Sequence, residues 1–356
     1  MTEHYRRVRK DPMTMVEAFR EAHRIAFYPM MFQAIRSMMK FGILSDICKS
    51  SGISRDEIVR ISGLSTYAVD LMLEVALLEK IVRNQDGKYF PTKLALLLNE
   101  DKAVKVNMDF MHDVCYQGAF ALDESFETGK PEGLKVFGDW ETIYQGLHHL
   151  PDKAKEVWFN FDNYYSDLVF DIAVKEVIKN NPKLVYDIGG NTAKFEVALF
   201  SANSDVRCRI IDLPLMIEKA KDNLSTVGLV DRAEFFPMDI LDPETEVPKG
   251  ADAIWMSQFL DCFSPEKIVF ILEKAKRALN TNGRIFVLEP FIDSSNDIAA
   301  LALTNISLYF TCMANGYSRM YRQTEMEEFI NKAGLRVLHA HEEIGEFSYT
   351  LLECTI

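Results

Sequence analysis

The feature that most constrains the fold is the segment 185–195, in which an apolar strand ends in two glycines just before a helix begins. Gly189 and Gly190 carry no side chain, so a ligand can approach the backbone closely at this point. Open α/β sheets bind their ligands at the carboxyl ends of parallel strands. The segment therefore predicts an α/β sheet with a nucleotide-type pocket at one edge.

The glycine spacing excludes the two commonest phosphate-binding loops. A dinucleotide-binding loop reads Gly-x-Gly-x-x-Gly, but its third and sixth positions are Asn191 and Lys194 here. A triphosphate-binding loop ends in Gly-Lys-Ser or Gly-Lys-Thr, and no such triplet follows the turn. The pattern therefore favours a nucleoside without phosphates.

Acidic residues end three successive predicted strands. Asp187 ends the first, and Asp212 ends the second at the spacing expected for a carboxylate that binds a ribose. Asp239 ends the third, where it can accept the adenine amino group while Ile240 covers a ring face. The alternative for each acid alone is a solvated strand end or a helix N-cap. Their occurrence together favours a binding site.

These residues resemble the motifs of the class I S-adenosylmethionine-dependent methyltransferases. The resemblance is specific to the small-molecule O-methyltransferases, which include plant phenolic, hydroxyindole and bacterial polyketide enzymes, and it covers nearly the whole chain. Their loop Asp-x-Gly-Gly-Gly-x-Gly falls on 187–193, with Asn191 and Ala193 in place of two glycines. Asn tolerates left-handed backbone and Ala adds only a methyl group, so the loop is expected to keep its shape. Their Asp-Leu-Pro motif stands at 212–214.

The resemblance implies an α/β fold with a Rossmann-like doubly wound sheet, and S-adenosylmethionine as the cofactor. The cofactor-binding residues it implies are Asp187, Gly189, Gly190, Asn191, Asp212, Leu213, Asp239, Ile240 and Ser257.

The resemblance also indicates where the catalytic residues lie. The family's segment His-Asp-Trp-Ser-Asp-Glu falls on 261–266, so that its general base, a histidine, is replaced by Asp261. Glu289 matches the carboxylate that orients this histidine. An aspartate with its ordinary pKa of about 3.9 is a poor base for a phenol, but burial and the charge of Glu289 are expected to raise that pKa. We predict that Asp261 takes the acceptor's proton or positions its hydroxyl; the alternative is that it caps the following turn and that catalysis depends on alignment.

The composition limits the classes of partner. A formal charge of −13 opposes binding to nucleic acid or anionic lipid, because phosphate binding depends on clustered Lys and Arg. The six cysteines and seven histidines are scattered, so neither a metal site nor a disulfide framework is expected. The first residues lack the apolar core of a signal peptide, and no apolar run is expected to reach membrane-spanning length. We therefore expect a cytoplasmic protein with no membrane or nucleic-acid partner.

The front third of the chain carries a second motif. Residues 54–64 and 65–78 have the periodicity of two helices, and two short strands follow in 81–90, which together predict a winged helix. The second helix carries Asp70 and Glu74 but no Lys or Arg, which argues against DNA binding. In the resembled enzymes this module serves dimerisation, so a homodimer is implied. The apolar residues of 19–44 fit either such an interface or ordinary helix core.

The chain is thus predicted to have three parts: a winged-helix dimerisation domain (1–100), a helical connector rich in aromatic residues (101–180) and a cofactor-binding domain (181–356). The connector is expected to contribute to the substrate pocket, because ligand sites are mostly apolar. The predicted function is methyl transfer to a small aromatic hydroxylated molecule. The alternatives are a winged-helix transcriptional regulator and a catalytically silent protein that binds the cofactor.

Overall fold

The computed structural model describes residues 12–167, 169–293, 297–345 and 347–356. The chain divides into two compact units, Met1–Met108 and Asp109–Ile356. The predicted three-part division remains a prediction.

The first unit contains the predicted helix pair and hairpin. Ser54 and Ser65 cap the two helices of the pair, because each hydroxyl accepts the backbone N–H three residues further on. Asp86 and Gly87 are both left-handed, as a tight two-residue hairpin turn requires. The elements in chain order are α1 (Met15–Lys40), α2 (Ile43–Lys49), β1 (Ile53–Ser54), α3 (Arg55–Ser62), α4 (Thr66–Leu78), β2 (Val82–Gln85), β3 (Lys88–Pro91) and α5 (Lys93–Glu100), followed by α6 (Lys102–Phe110), which runs into the second unit.

Helix α1 contributes little to the core of the first unit. That core contains fully buried side chains from the other helices, such as Leu44, Ile58 and Leu73, and only Met38 of α1 is buried among the described residues. Large apolar side chains of α1 are exposed instead, namely Phe19, Ile25, Phe27, Tyr28 and Met30. Ordinary core packing within this chain therefore does not account for the apolar character of α1.

The second unit is built on a seven-stranded sheet with the order β6-β5-β4-β7-β8-β10-β9. The strands β4 to β8 are parallel, and β10 is antiparallel to both of its neighbours, β8 and β9. The last two strands of the chain close the sheet, and β9 forms one of its two edges. The strands are β4 (Leu184–Ile188), β5 (Arg207–Asp212), β6 (Ala233–Pro237), β7 (Ala251–Ser257), β8 (Leu279–Pro290), β9 (Arg336–Ile344) and β10 (Tyr349–Thr355).

Helices cover both faces of this sheet, which confirms the doubly wound α/β prediction. One buried cluster contains Leu199 and Ile217, and the cluster on the other face contains Ile271 and Phe329. Near-continuous apolar strands such as β7 are the sequence sign of a sheet that is buried on both faces. The helices on the first face are α10 (Phe170–Val177), α11 (Lys194–Ala202) and α12 (Pro214–Thr226), and those on the second are α13 (Pro265–Ala278) and α15 (Gln323–Lys332).

The remaining helices pack around a third buried cluster, which is rich in aromatic residues. They are α7 (Leu122–Thr128), α8 (Ile143–Gly146), α9 (Asp152–Asp167) and α14 (Asp297–Tyr309), together with π-helical turns at Met111–Cys115 and Phe310–Ala314. The helix predicted over 296–315 corresponds to α14 and its π-helical turn, and residue 296 lies outside the described residues.

The sequence analysis expects no apolar run of membrane-spanning length, but the structure contains one such segment. Asp297–Ala314 is long and apolar enough to cross a membrane, judged by length and composition only. Core helices of soluble proteins also pass this test. Leu303, Ile306 and Phe310 of this segment line the cavity described below, and this accounts for part of its apolar character.

Candidate active site

A cavity of about 610 Å³ opens at the carboxyl ends of the parallel strands. Six of the predicted cofactor residues form one wall: Gly189, Asn191, Asp212, Leu213, Asp239 and Ile240. The other three line a smaller polar cavity that shares Gly189 and Asn191 with the first: Asp187, Gly190 and Ser257. The structure therefore brings all nine to one edge of the sheet.

The loop after β4 has the left-handed conformation that a glycine-rich turn requires. Gly189 has φ +84°, and a Cβ there would lie 2.3 Å from the Phe259 ring. Asn191 (φ +49°) and Ala193 (φ +60°) adopt the left-handed region although neither is glycine. The loop therefore keeps the expected shape despite these two substitutions.

Asp212 fastens this loop to the next strand. Its carboxylate accepts the backbone N–H of Asn191 (2.9 Å) at one oxygen and that of Leu213 (2.7 Å) at the other. Burial raises the pKa of Asp212 to about 6, against the opposing effect of these two donors. Each carboxylate oxygen has a second lone pair, so both can still accept a ligand hydroxyl.

Asp239 lies two residues beyond the end of β6. Its Oδ1 accepts the backbone N–H of Leu241 (2.9 Å), so the carboxylate makes a local turn contact. The side chain is nevertheless exposed and lines the cavity, and the neighbouring Ile240 is buried beside it.

Asp187 forms a buried acid pair with Glu196, a residue that the sequence analysis missed. Both side chains are excluded from solvent and hydrogen bonded to each other, and the Cys208 thiol donates to Glu196 Oε1 (3.2 Å). Burial raises the pKa of both carboxyls, and the negative charge of Glu196, together with its hydrogen bond, raises that of Asp187 further. An acid within the apolar run of α11 was the available sequence signal.

Three polar atoms beside the glycine loop are buried and have no hydrogen-bond partner among the residues that the structure describes. They are Asn191 Oδ1, Ser257 Oγ and Gln258 Nε2, and their residues line the smaller cavity. A buried polar atom without a partner is costly, so this set of acceptors and donors fits a ligand with its own charged groups.

Asp261 and Glu289 meet at a turn that follows β7. Asp261 lies in the 3₁₀ turn Leu260–Cys262, is only 5% exposed and lines the large cavity. Glu289 Oε1 accepts the backbone N–H groups of Phe259 (3.0 Å) and Leu260 (2.9 Å). Glu289 thus supports the backbone of the turn that carries Asp261. Ser264 is at the N-cap of α13, whereas the Asp261 carboxyl accepts the backbone N–H of Cys262 within its own turn, which is the turn contact of the alternative.

The environment of Asp261 raises its pKa to about 7. Burial is the main cause, and the negative charge of Asp162 adds to it, while the Cys262 thiol opposes both by donating to Asp261 Oδ1 (3.4 Å). Asp162 was not singled out from the sequence. At neutral pH the carboxyl of Asp261 is therefore balanced between its acid and base forms.

The wall opposite the sheet is aromatic and carries few polar groups. Phe110 stacks on Phe161 with 4.0 Å between ring centres, and Trp158 Nε1 donates to the Tyr309 hydroxyl (2.8 Å). This wall is formed mainly by Phe110, Tyr144, Trp158, Phe161, Tyr309 and Phe310. Such a surface suits a flat apolar ligand. Among the described residues that line the cavity, the only histidine is His148.

Comparison with known families identifies the family to which the chain belongs. A family model described as an O-methyltransferase domain matches residues 122–336, and one described as a Dimerisation2-like domain matches residues 19–89. The chain belongs to the O-methyltransferase-domain family. It is an S-adenosylmethionine-dependent methyltransferase.

Individual relatives of the methyltransferase are distant but cover most of the chain. An L-tyrosine C(3)-methyltransferase of Streptomyces lavendulae is 26% identical over 314 residues, which are 87% of this chain and 85% of the relative. The mitomycin 7-O-methyltransferase structure has a TM-score of 0.74 at 20% identity and covers 95% of this chain and 97% of its own. An O-methyltransferase from neocarzinostatin biosynthesis, solved with S-adenosylmethionine and 2-hydroxy-5-methyl naphthoic acid, has a TM-score of 0.68 at 21% identity, covering 92% and 95%. These two structures support the fold.

Proposed function

We propose that this methyltransferase acts on a small hydroxylated aromatic acceptor and that Asp261 is its general base. The observation that carries the proposal is a carboxyl that is buried in an aromatic cavity and has a pKa of about 7. A base works best when its pKa lies near the working pH. The aromatic wall provides a surface on which a flat acceptor can lie.

The nine residues at the sheet edge are proposed to hold the cofactor. Asp212 accepts the ribose hydroxyls, Asp239 accepts the adenine amino group, and Leu213 and Ile240 cover the ring. The unpartnered atoms of Asn191 and Ser257 meet the charged amino-acid end. Gly189 and Gly190 let the ligand reach the backbone, and Asp187 supports the loop from its buried side. When bound, S-adenosylmethionine supplies a methyl group carried on a sulfonium, and the neutral thioether is the leaving group.

The protein's own contribution to the reaction is alignment and proton transfer. Asp261 accepts the proton from the acceptor's hydroxyl, and Glu289 holds the turn that sets the position of Asp261. Alignment supplies much of the rate in a reaction with such a good leaving group, so the base is expected to contribute about 10²-fold.

The test is a methyl-transfer assay with radiolabelled cofactor and a panel of simple phenols and catechols. Asp261→Asn is expected to lower kcat on the best acceptor by about 10²-fold, and Asp261→His to retain more of it. Calorimetry with S-adenosylhomocysteine checks that both variants still bind the cofactor product. An unchanged kcat in Asp261→Asn would eliminate the proposed role.

A second candidate reaction is methylation of ring carbon next to the hydroxyl. The similarity to an L-tyrosine C(3)-methyltransferase over 87% of the chain favours it. Removal of the hydroxyl proton by Asp261 would activate the ring carbon as it activates the oxygen. After the carbon has taken the methyl group, its own hydrogen would leave as a proton to water, which restores the aromatic ring. Mass spectrometry and NMR of the product distinguish a methoxy group from an aryl methyl group.

The first unit is proposed to be a winged helix that forms a homodimer and does not bind DNA. The match to a dimerisation domain over 19–89 and the exposed apolar side chains of α1 support this. Analytical ultracentrifugation is expected to show a dimer, and Phe27→Glu combined with Met30→Glu to give a monomer. Retention on DNA at physiological salt would contradict the proposal. A cytoplasmic location is proposed because all six cysteines are free thiols, and cell fractionation tests it.

A further inference from the structure

Gln258, which directly follows β7, has no part in the methyl transfer described above. It lines both the large cavity and the smaller polar one. Its side-chain nitrogen, Nε2, is buried and has no hydrogen-bond partner in the part of the chain that the structure describes. The nitrogen carries two N–H donors, and a buried donor without an acceptor is costly. These donors therefore fit an oxygen that a ligand brings into the cavity.

The side-chain oxygen of Gln258 is held by a residue of another strand. The Tyr349 hydroxyl donates to Gln258 Oε1 (3.1 Å), and Tyr349, the first residue of β10, is only 1% exposed. This hydrogen bond occupies the acceptor end of the carboxamide and leaves the donor end for a ligand. The carboxamide is therefore oriented before any ligand binds.

The backbone of Gln258 is strained. Its φ is +48°, in the left-handed region that residues with a long side chain rarely adopt. The backbone N–H of Gln258 donates to the carbonyl oxygen of Leu288 in β8 (2.9 Å), so the sheet holds the residue in this conformation. Residues that the fold holds in such conformations cluster at functional sites. The strain is a second, independent sign that the position of this side chain matters.

The hydrogen bond from Tyr349 indicates that the donor serves the acceptor and not the cofactor. In the sheet order β4-β7-β8-β10, strand β10 lies on the opposite side of β7 from β4, which carries the glycine loop. Tyr349 lines the large cavity, as Asp261 does, but is not among the described residues that line the smaller one. The carboxamide is thus held on the side of the glycine loop that faces away from the cofactor residues of β5 and β6.

Resting on the proposed function, we propose that Gln258 selects acceptors with a second oxygen besides the hydroxyl that faces Asp261. Nε2 donates a hydrogen bond to this second oxygen, which is a hydroxyl or a carbonyl attached to the aromatic ring. A donor to the reacting oxygen would engage the lone pairs that attack the methyl group, so the second oxygen is the better partner. An analogue without this oxygen leaves the buried donor unpaired, and the site discriminates against it.

The test compares pairs of phenols in which a methyl group replaces the second oxygen, bound to the protein saturated with S-adenosylhomocysteine. The pairs are catechol with 2-methylphenol, resorcinol with 3-methylphenol, and 3-hydroxyacetophenone with 3-isopropylphenol. By calorimetry, the oxygen-bearing member of at least one pair is expected to bind about tenfold more tightly than its partner.

Two variants test the donor and its orientation separately. Gln258→Met removes the N–H donors but keeps a long unbranched side chain, so the backbone strain is unchanged. It is expected to reduce the preference to within about twofold, with little change in the affinity for S-adenosylhomocysteine. Tyr349→Phe leaves the donors in place and frees the carboxamide, and it is expected to reduce the preference by about threefold.

Gln323→Met is the matched control, because it removes a carboxamide from the same compact unit. Gln323 Nε2 donates to Glu327 (3.0 Å), and Gln323 is not among the described residues that line either cavity. The preference for the second oxygen is therefore expected to persist in this variant.

Three results overturn the proposal. The first is that no oxygen-bearing phenol binds more tightly than its partner. The second is that the preference is unchanged in Gln258→Met or in Tyr349→Phe. The third is that Gln258→Met weakens S-adenosylhomocysteine, since the carboxamide would then serve the cofactor.

Failure of this proposal and failure of the proposed function give different results. In the labelled-cofactor assay, if Gln258 has no such role, phenols are still methylated, and Gln258→Met methylates both members of each pair in the same ratio as the natural protein. If the proposed function is wrong, no phenol in the panel is methylated, with or without a second oxygen.

Discussion

The side-chain amide of Asn191 donates a 2.8 Å hydrogen bond to Asp162 Oδ2. This bond joins the glycine loop to α9, and Asp162 in turn raises the pKa of Asp261. The resembled family has glycine where Asn191 stands, so this chain replaces a flexible residue with one that links the cofactor side of the cavity to its acceptor side.

Asn191→Gly tests this link. The variant relieves the left-handed backbone strain but removes both the hydrogen bond to Asp162 and the side-chain oxygen proposed to meet the cofactor. We therefore expect weaker cofactor binding and, through the lost link, a higher KM for the acceptor. A lost hydrogen bond to a charged group is worth roughly 1.5–3 kcal/mol, or about tenfold or more in kcat/KM. Steady-state kinetics and calorimetry measure the two effects separately. An unchanged KM for the acceptor at saturating cofactor would contradict the link.

Asp162→Asn is expected to shift the pH dependence of methyl transfer. Asp261 acts as a base when deprotonated, so the rate of the natural protein should rise with pH through about 7. Removal of the Asp162 charge lowers the pKa of Asp261, and the rising limb should move to lower pH. The side-chain oxygen that the variant keeps at position 162 can still accept the hydrogen bond from Asn191, so the link is preserved. A pH–rate profile of kcat measures the shift, and an unmoved limb would show that Asp162 does not influence the base.

Cofactor affinity is expected to fall as the pH drops through about 6, the pKa of Asp212. The ionised carboxylate is the better acceptor for ribose hydroxyls, and its protonation removes acceptor capacity. Calorimetry with S-adenosylhomocysteine at several pH values checks this. Asp212→Asn should bind weakly with little dependence on pH around 6, whereas Asp205→Asn, at an exposed position before β5, should retain the natural dependence.

Glu196→Gln is expected to stabilise the protein increasingly as the pH rises. The raised pKa values of Asp187 and Glu196 mean that the folded state holds its proton more tightly than the unfolded chain, so their stabilising effect is full at low pH and lost as the pH rises through the folded pKa values. The difference in unfolding free energy between the variant and the natural protein should grow by at most about 1.4 kcal/mol per pH unit. Denaturant unfolding at several pH values measures it, with the exposed Glu218→Gln as a control that should show no such trend.

The cofactor side of the cavity could be predicted from the sequence because its residues follow strands. Asp212 and Asp239 are placed at the sheet edge by local patterns, and the ends of parallel strands meet there. Asp162 could not be predicted in the same way. Its position depends on how α9 is oriented around the cavity, and tertiary packing decides this. Glu289 was predicted from the sequence as the partner of Asp261, and only the structure shows that it binds the backbone of the turn that carries Asp261.

The two walls of the cavity come from different parts of the chain. One is built from the ends of strands, where position is dictated by the sheet, and the other from helices outside it. Mutation can therefore remodel the helical wall to suit a new acceptor while the methyl donor is still held in the same way. A change in α9 would affect Asn191 first, because the side chain of Asn191 is hydrogen bonded to Asp162 of that helix.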